Sequence, residues 1–504
     1  MKSADPGGSY SLSRRITTAA AWMVAFRWLD RLIGILSLAV LARLLSPADF
    51  GLVAYGTLVI GILELFTGLS TDSELIRHAR ADRSYYNAAW TMNVLRGVVM
   101  AALLLALIRP AVTFFHEPRL VAIMLSLSAI PLIQGFENVG IVDFRKQLEF
   151  DREFRFLLTS RIVGTVATII FALLLHSYWA LIVGTLFRAV FRIAWSYRVH
   201  PFRPRFALAG IPDIFRFTRW MMIQNLASGL NDRLPGIVIG REWGSSALAY
   251  FNVAKEISDL SATEIRAPIR RALYPGLARL AERPTHLGDV LISATGMLAL
   301  LTLPIPLGIA LVSDDLVPLF LGEQWQPAIA LVQPLCIAAS VAAVGTNSQL
   351  AYMALNRSHL AAVAVSLRAL LVLVVLLLVG RSYGVVGVAY AIAAITCVMT
   401  ALDYALAPRL LDIRVRRLLA VVWRPVAAAV AMAGAVWLLQ LASVPAHDTA
   451  GHLWALIRAT LLGAVVYTVC VVILWTLGGC RDGAEKWLIA LVKEQHARLS
   501  RTTA

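Results

Sequence analysis

Three charged residues stand inside an apolar run, where charge is costly. The stretch Thr17–Leu44 (TTAAAWMVAFRWLDRLIGILSLAVLARL) is long enough to cross a bilayer and carries Arg27, Asp30 and Arg31 near its centre. At ~1.5 Å of rise per residue from Ala19, Arg27 lies ~12 Å and Arg31 ~18 Å into a hydrocarbon layer ~30 Å thick, too deep to snorkel out. Spacings of three and four put all three on one helical face, where Asp30 neutralises one arginine and leaves the face net positive. Each charge costs at least ~2.5–3.5 kcal/mol at a helix centre, so the face must look into protein or into water. Two readings fit. One is a site for an anionic substrate entering a water-filled cavity; the other is a structural ion-pair cluster joining this helix to its neighbours.

Further polar residues lie in later apolar runs. Asn225, Asn231, Asp232 and Arg233 fall in the seventh run, and Lys255, Glu256 and Asp259 in the eighth. Lys255 and Asp259 are i,i+4 neighbours, so mutual neutralisation is the simpler reading for them. Asp232 points about 100° away from Arg233, which leaves Arg233 a candidate to face a cavity. Glu64, Arg96, Glu137, Arg161, Arg188 and Arg192 add charge to the first half, with Arg161 and Arg192 near helix ends where snorkelling or loop anchoring suffices. The candidate cavity set is Arg27, Asp30, Arg31, Arg233, Asn231 and Lys255. Asp30, Glu64 and Asp259 are candidate carriers of a coupled proton. No paired-carboxylate, nucleophile or metal-ligand constellation is visible, and Cys336, Cys397, Cys470 and Cys480 have no ligand spacing, so neither an enzyme nor a metal or cofactor protein is expected.

The chain that positions these groups has 504 residues, 59% of them hydrophobic and 15% charged, with mean hydropathy +0.73. That composition is an all-α polytopic membrane protein with no evident soluble domain. The first apolar run far exceeds a signal h-region and lacks an A-x-A end, so it is expected to be retained. The net charge of +16 comes from arginines in short loops between apolar runs, which the positive-inside rule explains without nucleic acid. Arg14 and Arg15 before the first run, and the arginines of the even-numbered loops, set both termini in the cytoplasm. About fourteen transmembrane helices are expected. Residues 1–16 form a cytoplasmic N-terminus and 17–200 a six-helix lobe. An Arg- and Pro-rich cytoplasmic linker, 201–219, precedes a second six-helix lobe at 220–412. A further helix pair occupies 413–480, and 481–504 form a basic cytoplasmic tail.

Sliding the chain on itself by 198 positions superposes Trp22-Met23 on Trp220-Met221 and Arg43 on Arg241. The shift equals six helices, so the two lobes are expected to share one orientation, related by a pseudo-two-fold axis along the membrane normal. Such a plan handles substrate near the midplane by alternating access.

Four stretches carry a resemblance: LARLLSPADFGLVAY (Leu41 to Tyr55), FRKQLEFDREF (Phe144 to Phe154), GREWGSSALAYFNVAKEI (Gly240 to Ile257) and FLGEQWQPA (Phe320 to Ala328). In order and helix position they resemble the polysaccharide transporters, or oligosaccharide flippases, of the multidrug/oligosaccharidyl-lipid/polysaccharide superfamily, and most the lipopolysaccharide or exopolysaccharide exporter branch. The stretch Thr67 to Asp82 departs from the small-residue turn common in the family. The resemblance implies a multi-pass protein of the bacterial inner membrane that moves undecaprenyl-pyrophosphate-linked oligosaccharide to the periplasmic leaflet. Its implied partners are that substrate, membrane lipids and other polysaccharide assembly proteins, and it implies a cavity-lining role for Arg31 with Arg27 as neighbour. A multidrug or cation antiporter of the same superfamily is the alternative, although it would want an acidic cavity. A membrane polymerase or ligase is disfavoured because the outside loops are short.

Overall fold

The computed structural model describes residues 6–67, 71–77, 82–207, 229–230, 232–259, 284–354, 358–411, 415–443 and 448–478. Asn225, Asn231, the second half of the linker and the basic tail lie outside these residues. The described chain is helical, with no strand among the described residues. It divides into two compact units, residues 1–249 and 250–504.

The first unit holds α1 (Pro6–Leu44), α2 (Pro47–Thr67), α3 (Thr71–Arg77), α4 (Arg83–Ala106), α5 (Ile108–Phe115), α6 (Leu120–Gly135), α7 (Val142–Lys146), α8 (Phe150–Leu175) and α9 (Trp179–Val199). Helical residues 232–259, here α10, are interrupted at Gly244, whose φ of +82° is not helical, and the division between the units falls within α10. The second unit continues with α11 (Pro284–Thr302), α12 (Pro304–Leu311), α13 (Ser313–Leu321), α14 (Gln326–Ala354), α15 (Ser358–Leu411), α16 (Val415–Ala442) and α17 (Thr449–Leu477). Gly384, with φ +64°, breaks α15 into two apolar stretches. Among the described residues nine helices are long and apolar enough to cross a membrane, or ten if one bent pair is a single span. The fourteen expected are not reached on that criterion. One reason is that α1 carries three charges in mid-span; another is that runs 220–240 and 246–266 lie partly outside the described residues.

Local chemistry starts and stops these helices. The Ser-Pro-Ala-Asp turn is a capping box: Asp49 N donates to Ser46 Oγ at 3.2 Å and Ser46 N to Asp49 Oδ2 at 3.1 Å, with Pro47 at the first helical position. Asp49 Oδ1 also accepts from Tyr178 N at 3.0 Å, which fastens the α8–α9 turn to the start of α2. Asp82 caps α4 through Tyr85 N at 2.9 Å, and Asp448 caps α17 through Gly451 N at 3.0 Å.

Packing inside each unit relies on small residues, because lipid tails are as apolar as Leu and give no hydrophobic gain to helix association. A Cβ added at Gly97 of α4 would lie 2.5 Å from Pro131 O, and one at Gly135 of α6 would lie 2.9 Å from Asn93 O. The α4 and α6 backbones therefore touch at two levels. Side chains such as Leu174, Leu461 and Val465 point outward and are exposed, as lipid-facing residues are. In the second unit Tyr467 donates to Leu300 O and Tyr404 to Val344 O, each at 2.7 Å, so the polar ends of buried aromatics are satisfied.

After α6 the chain bends by 62° into Val139–Lys146. Asn138, fully buried, holds the bend: its Oδ1 accepts from Gly140 N at 2.9 Å, its N donates to Ser196 Oγ at 3.1 Å, and its Nδ2 donates to Phe202 O at 2.9 Å. The first half of the linker is strapped back on the unit, with Arg205 N on Asn87 Oδ1 and Ala207 N on Thr91 Oγ1, both at 2.9 Å. Burial pushes the His200 imidazole below its ordinary value, in keeping with a neutral ring whose Nδ1 accepts from Phe202 N at 3.2 Å.

The α4–α6 contact sets the first prediction. Gly97→Ala forces a methyl group against backbone and should cost about 1–3 kcal/mol, whereas Gly434→Ala in α16, where a Cβ meets open space, should stay within about 0.5 kcal/mol. Melting temperatures of the purified variants in detergent check both.

Candidate functional site

Two groups of charges occupy the first unit. The first joins α1 to α8 and α9. Trp22 packs on Phe154 with ring centroids 4.8 Å apart, and Phe26 meets the same ring at 6.4 Å edge-on, which turns the charged face of α1 toward α8. Asp30 Oδ1 then lies 2.9 Å from Arg161 Nε. Gly34, one turn further along, makes room, since a Cβ there would sit 3.1 Å from the Arg161 guanidinium. Arg188 of α9 lies within electrostatic range of both Arg161 and Asp30. Arg161 is ~16 Å from the start of α8 and Arg188 ~14 Å from the start of α9, so these are deep charges rather than interface anchors. The sequence-level view of Arg161 as a snorkelling residue is thereby corrected: it is the cross-helix partner of Asp30. Arg27 and Arg31 stand on the same helix as Asp30, both partly buried.

The second group lines a cavity of about 560 Å³ enclosed by α2, α3, α4, α6, α7, α8 and α9. One face of α4 enters it with Asn93, Arg96, Gly97 and Met100, at the i, i+3, i+4, i+7 spacing of a helix stripe. Gln134 and Glu137 come from the end of α6, Asp72 from α3, Arg145 from α7 and Glu153 from α8. Arg192 Nε pairs with Glu137 Oε1 at 3.0 Å, and Arg145 hydrogen-bonds Glu153 while its terminal nitrogen reaches Asp72 Oδ2 at 3.4 Å. Arg192, like Arg161, thus has a specific partner on another element. Arg96 differs. Among the described residues its Nε meets no hydrogen-bond acceptor, and Glu64 and Asp72 act on it only through longer-range attraction. Asp72 belongs to the stretch where the family resemblance fails, and that stretch supplies a wall of the cavity.

The remaining candidates divide. Arg233 of α10 and Glu64 of α2 come together at 3.8 Å, with the guanidinium laid over Gly61, where a Cβ would lie 2.5 Å away. On the same α2–α10 seam Tyr55 donates to Gly240 O at 2.7 Å and Arg241 covers the Phe114 ring at 4.4 Å. Lys255 and Asp259 pair with each other across one helical turn in the second unit, away from Arg27 and Arg31 in sequence and unit alike. Asn231 lies outside the described residues. The cavity centred on Arg96 was not separated from the background of charged residues at the sequence level, although the Asn93–Arg96–Met100 stripe was available as a signal.

Nine helices long and apolar enough to cross a membrane among the described residues, with ion pairs between helices, mark a polytopic membrane protein, and comparisons with known proteins identify what it is similar to. The fold matches the lipid II flippase MurJ in an inward closed conformation with TM-score 0.70 at 13% identity, covering 90% of this chain and 98% of that one. It also matches an inward-facing multidrug resistance MATE family transporter of the MOP superfamily with TM-score 0.59 at 15% identity, covering 76% and 94%. In sequence the chain is similar to the lipopolysaccharide biosynthesis protein WzxC of Escherichia coli, 22% identical over 78% of this chain and 81% of the relative. The succinoglycan biosynthesis transport protein ExoT of Rhizobium meliloti is 22% identical over 62% and 64%, and the teichuronic acid biosynthesis protein TuaB of Bacillus subtilis 23% identical over 65% and 68%. Residues 40–330 match the family described as polysaccharide biosynthesis protein, and the chain belongs to that family. It is a multi-pass inner-membrane transporter, not an enzyme.

The Arg192–Glu137 pair yields the second prediction. Arg192→Ala leaves a carboxylate that is only 18% exposed without its cation and should lower the melting temperature, while adding Glu137→Gln should recover much of the loss. A double-mutant cycle on purified protein should return a coupling of about 1 kcal/mol or more.

Proposed function

We propose that the protein is a flippase that carries a lipid-linked oligosaccharide, on an undecaprenyl-pyrophosphate carrier, from the cytoplasmic to the periplasmic leaflet by alternating access, for cell-surface polysaccharide. The observation that carries this reading is the excess of positive charge at membrane depth on α1, α8 and α9, where Arg161 and Arg188 surround Asp30 on the helix that also bears Arg27 and Arg31. A pyrophosphate must cross ~30 Å of hydrocarbon with its charge shielded, and guanidinium groups bind phosphate through planar forks of donors. A cation antiporter would need the opposite charge there. Relatives named for lipopolysaccharide, succinoglycan and teichuronic acid biosynthesis support the choice of cargo. Arg27 and Arg31 are the proposed phosphate ligands. Arg233 with Glu64, and Lys255 with Asp259, are proposed as ion pairs whose carboxylates can take up a coupled proton.

In this reading both termini and the linker are cytoplasmic, two six-helix lobes follow a pseudo-two-fold axis along the membrane normal, and other polysaccharide assembly proteins are the partners. Loop arginines support the orientation. A reporter active only in the periplasm should stay silent when fused at the C-terminus; activity there would overturn the topology.

The site itself is tested at Arg31. Arg31→Ala should lower export at least about tenfold, the worth of one charge-assisted phosphate contact, while protein abundance stays normal, and Arg31→Lys should restore part of it. Asp30→Ala strands Arg161 and should lower abundance instead, which Asp30→Ala with Arg161→Ala should partly recover. Lipid-linked oligosaccharide accumulating on the cytoplasmic leaflet is the readout. Normal export in Arg31→Ala would remove it from the site.

A further inference from the structure

We propose that the cavity around Arg96 is a sugar subsite that takes an acidic monosaccharide unit of the glycan, with the Arg96 guanidinium as ligand of its carboxylate. This rests on the flippase reading and assigns the glycan end of the substrate to a place distinct from the α1 arginines. The argument begins with depth. Arg96 lies ~20 Å from the start of α4, where a charge costs at least ~2.5–3.5 kcal/mol, so its retention there calls for a counterpart. Both of the other arginines that line this cavity have a carboxylate within 4 Å, Arg192 with Glu137 and Arg145 with Glu153 and Asp72, and the lining residue Glu64 is taken by Arg233 from outside it. Arg96 is left with a free Nε among the described residues. An anion entering the cavity meets one cation able to turn its fork of donors toward it.

The rest of the lining decides which anion. Besides Arg96 the cavity presents four carboxylates, Glu64, Asp72, Glu137 and Glu153, with Arg145 and Arg192 paired to the last three, and the amides of Asn93 and Gln134. Carboxylates only accept hydrogen bonds and amides both accept and donate, so the wall suits a ligand rich in hydroxyl donors. An inorganic or lipid pyrophosphate brings several negative charges and no hydroxyl donors to such a wall and is repelled by it. A uronic acid brings one carboxylate to the one available cation and hydroxyl groups to the acceptors around it. The volume of about 560 Å³ lies within the range of small-molecule pockets, enough for one or two sugar rings. The cavity is also built rather than incidental: the Gly97–Pro131 and Gly135–Asn93 backbone contacts hold α4 and α6 in register, and Asn138 turns the chain so that Arg145 closes one side.

The test is titration calorimetry on the purified full-length protein in nanodiscs with sodium glucuronate, glucose and inorganic pyrophosphate as probes. Glucuronate should bind at least about tenfold more tightly than glucose, as one charge-assisted bidentate contact provides, and pyrophosphate, whose proposed ligands are Arg27 and Arg31, should bind alike with and without Arg96→Gln. Arg96→Gln should bring glucuronate down to the level of glucose, and Arg96→Lys should keep part of the preference. Glucuronate no tighter than glucose, no saturable binding of glucuronate, pyrophosphate binding lost in Arg96→Gln, or a preference that survives Arg96→Gln would each overturn the assignment. If Arg96→Gln does not yield folded protein, Arg96→Lys decides: partial loss of the preference for glucuronate over glucose supports the assignment, and the full preference retained there overturns it. Because export is not the readout, failure here with a lost export phenotype in Arg31→Ala removes only the subsite. Glucuronate binding with normal export in Arg31→Ala removes the flippase site and leaves this one.

Discussion

The constraint on which the structure depends is that a charge at membrane depth cannot reach bulk water and must be met by another group of the protein. An isolated charge in hydrocarbon costs several kcal/mol, whereas a cross-helix pair with its hydrogen bonds satisfied recovers much of that. The Asp30–Arg161 and Glu64–Arg233 contacts each tie two helices far apart in sequence, and Glu137–Arg192 ties α9 to the bend after α6. They do what apolar contacts do poorly in lipid, which is to select one neighbour over another.

Glycine complements the pairs. Gly34 leaves room for the Arg161 guanidinium and Gly61 for that of Arg233, so a Cβ at either position would make the arginine shift away from its place in the ion pair. At Gly97 and Gly135 the same device brings backbones together. The cavity beside them is then a consequence of geometry: α4 and α6 touch at those glycines, α6 ends at Asn138, and the polar stripe of α4 faces the space left between them and the bent segment.

The site therefore consists of two chemically different places in one unit, a net-positive cluster along α1, α8 and α9 and a cavity whose acceptors nearly balance its cations. A lipid-linked glycan has the same two chemistries, a pyrophosphate and a polyhydroxylated chain. In the proposed function the separation would let each be matched without forcing phosphates against carboxylates.

Helical class, apolar spans and the charges of α1 were legible in the sequence, because each depends on composition or on spacing within one segment. The Lys255–Asp259 pair was legible for the same reason, being one helical turn apart. Partners across helices were not. Asp30 pairs with Arg161, 131 positions away, and nothing in the spacing of Arg27, Asp30 and Arg31 pointed to α8. Likewise Arg96 stands out only once tertiary packing has given the two other arginines of its cavity, Arg145 and Arg192, their carboxylates.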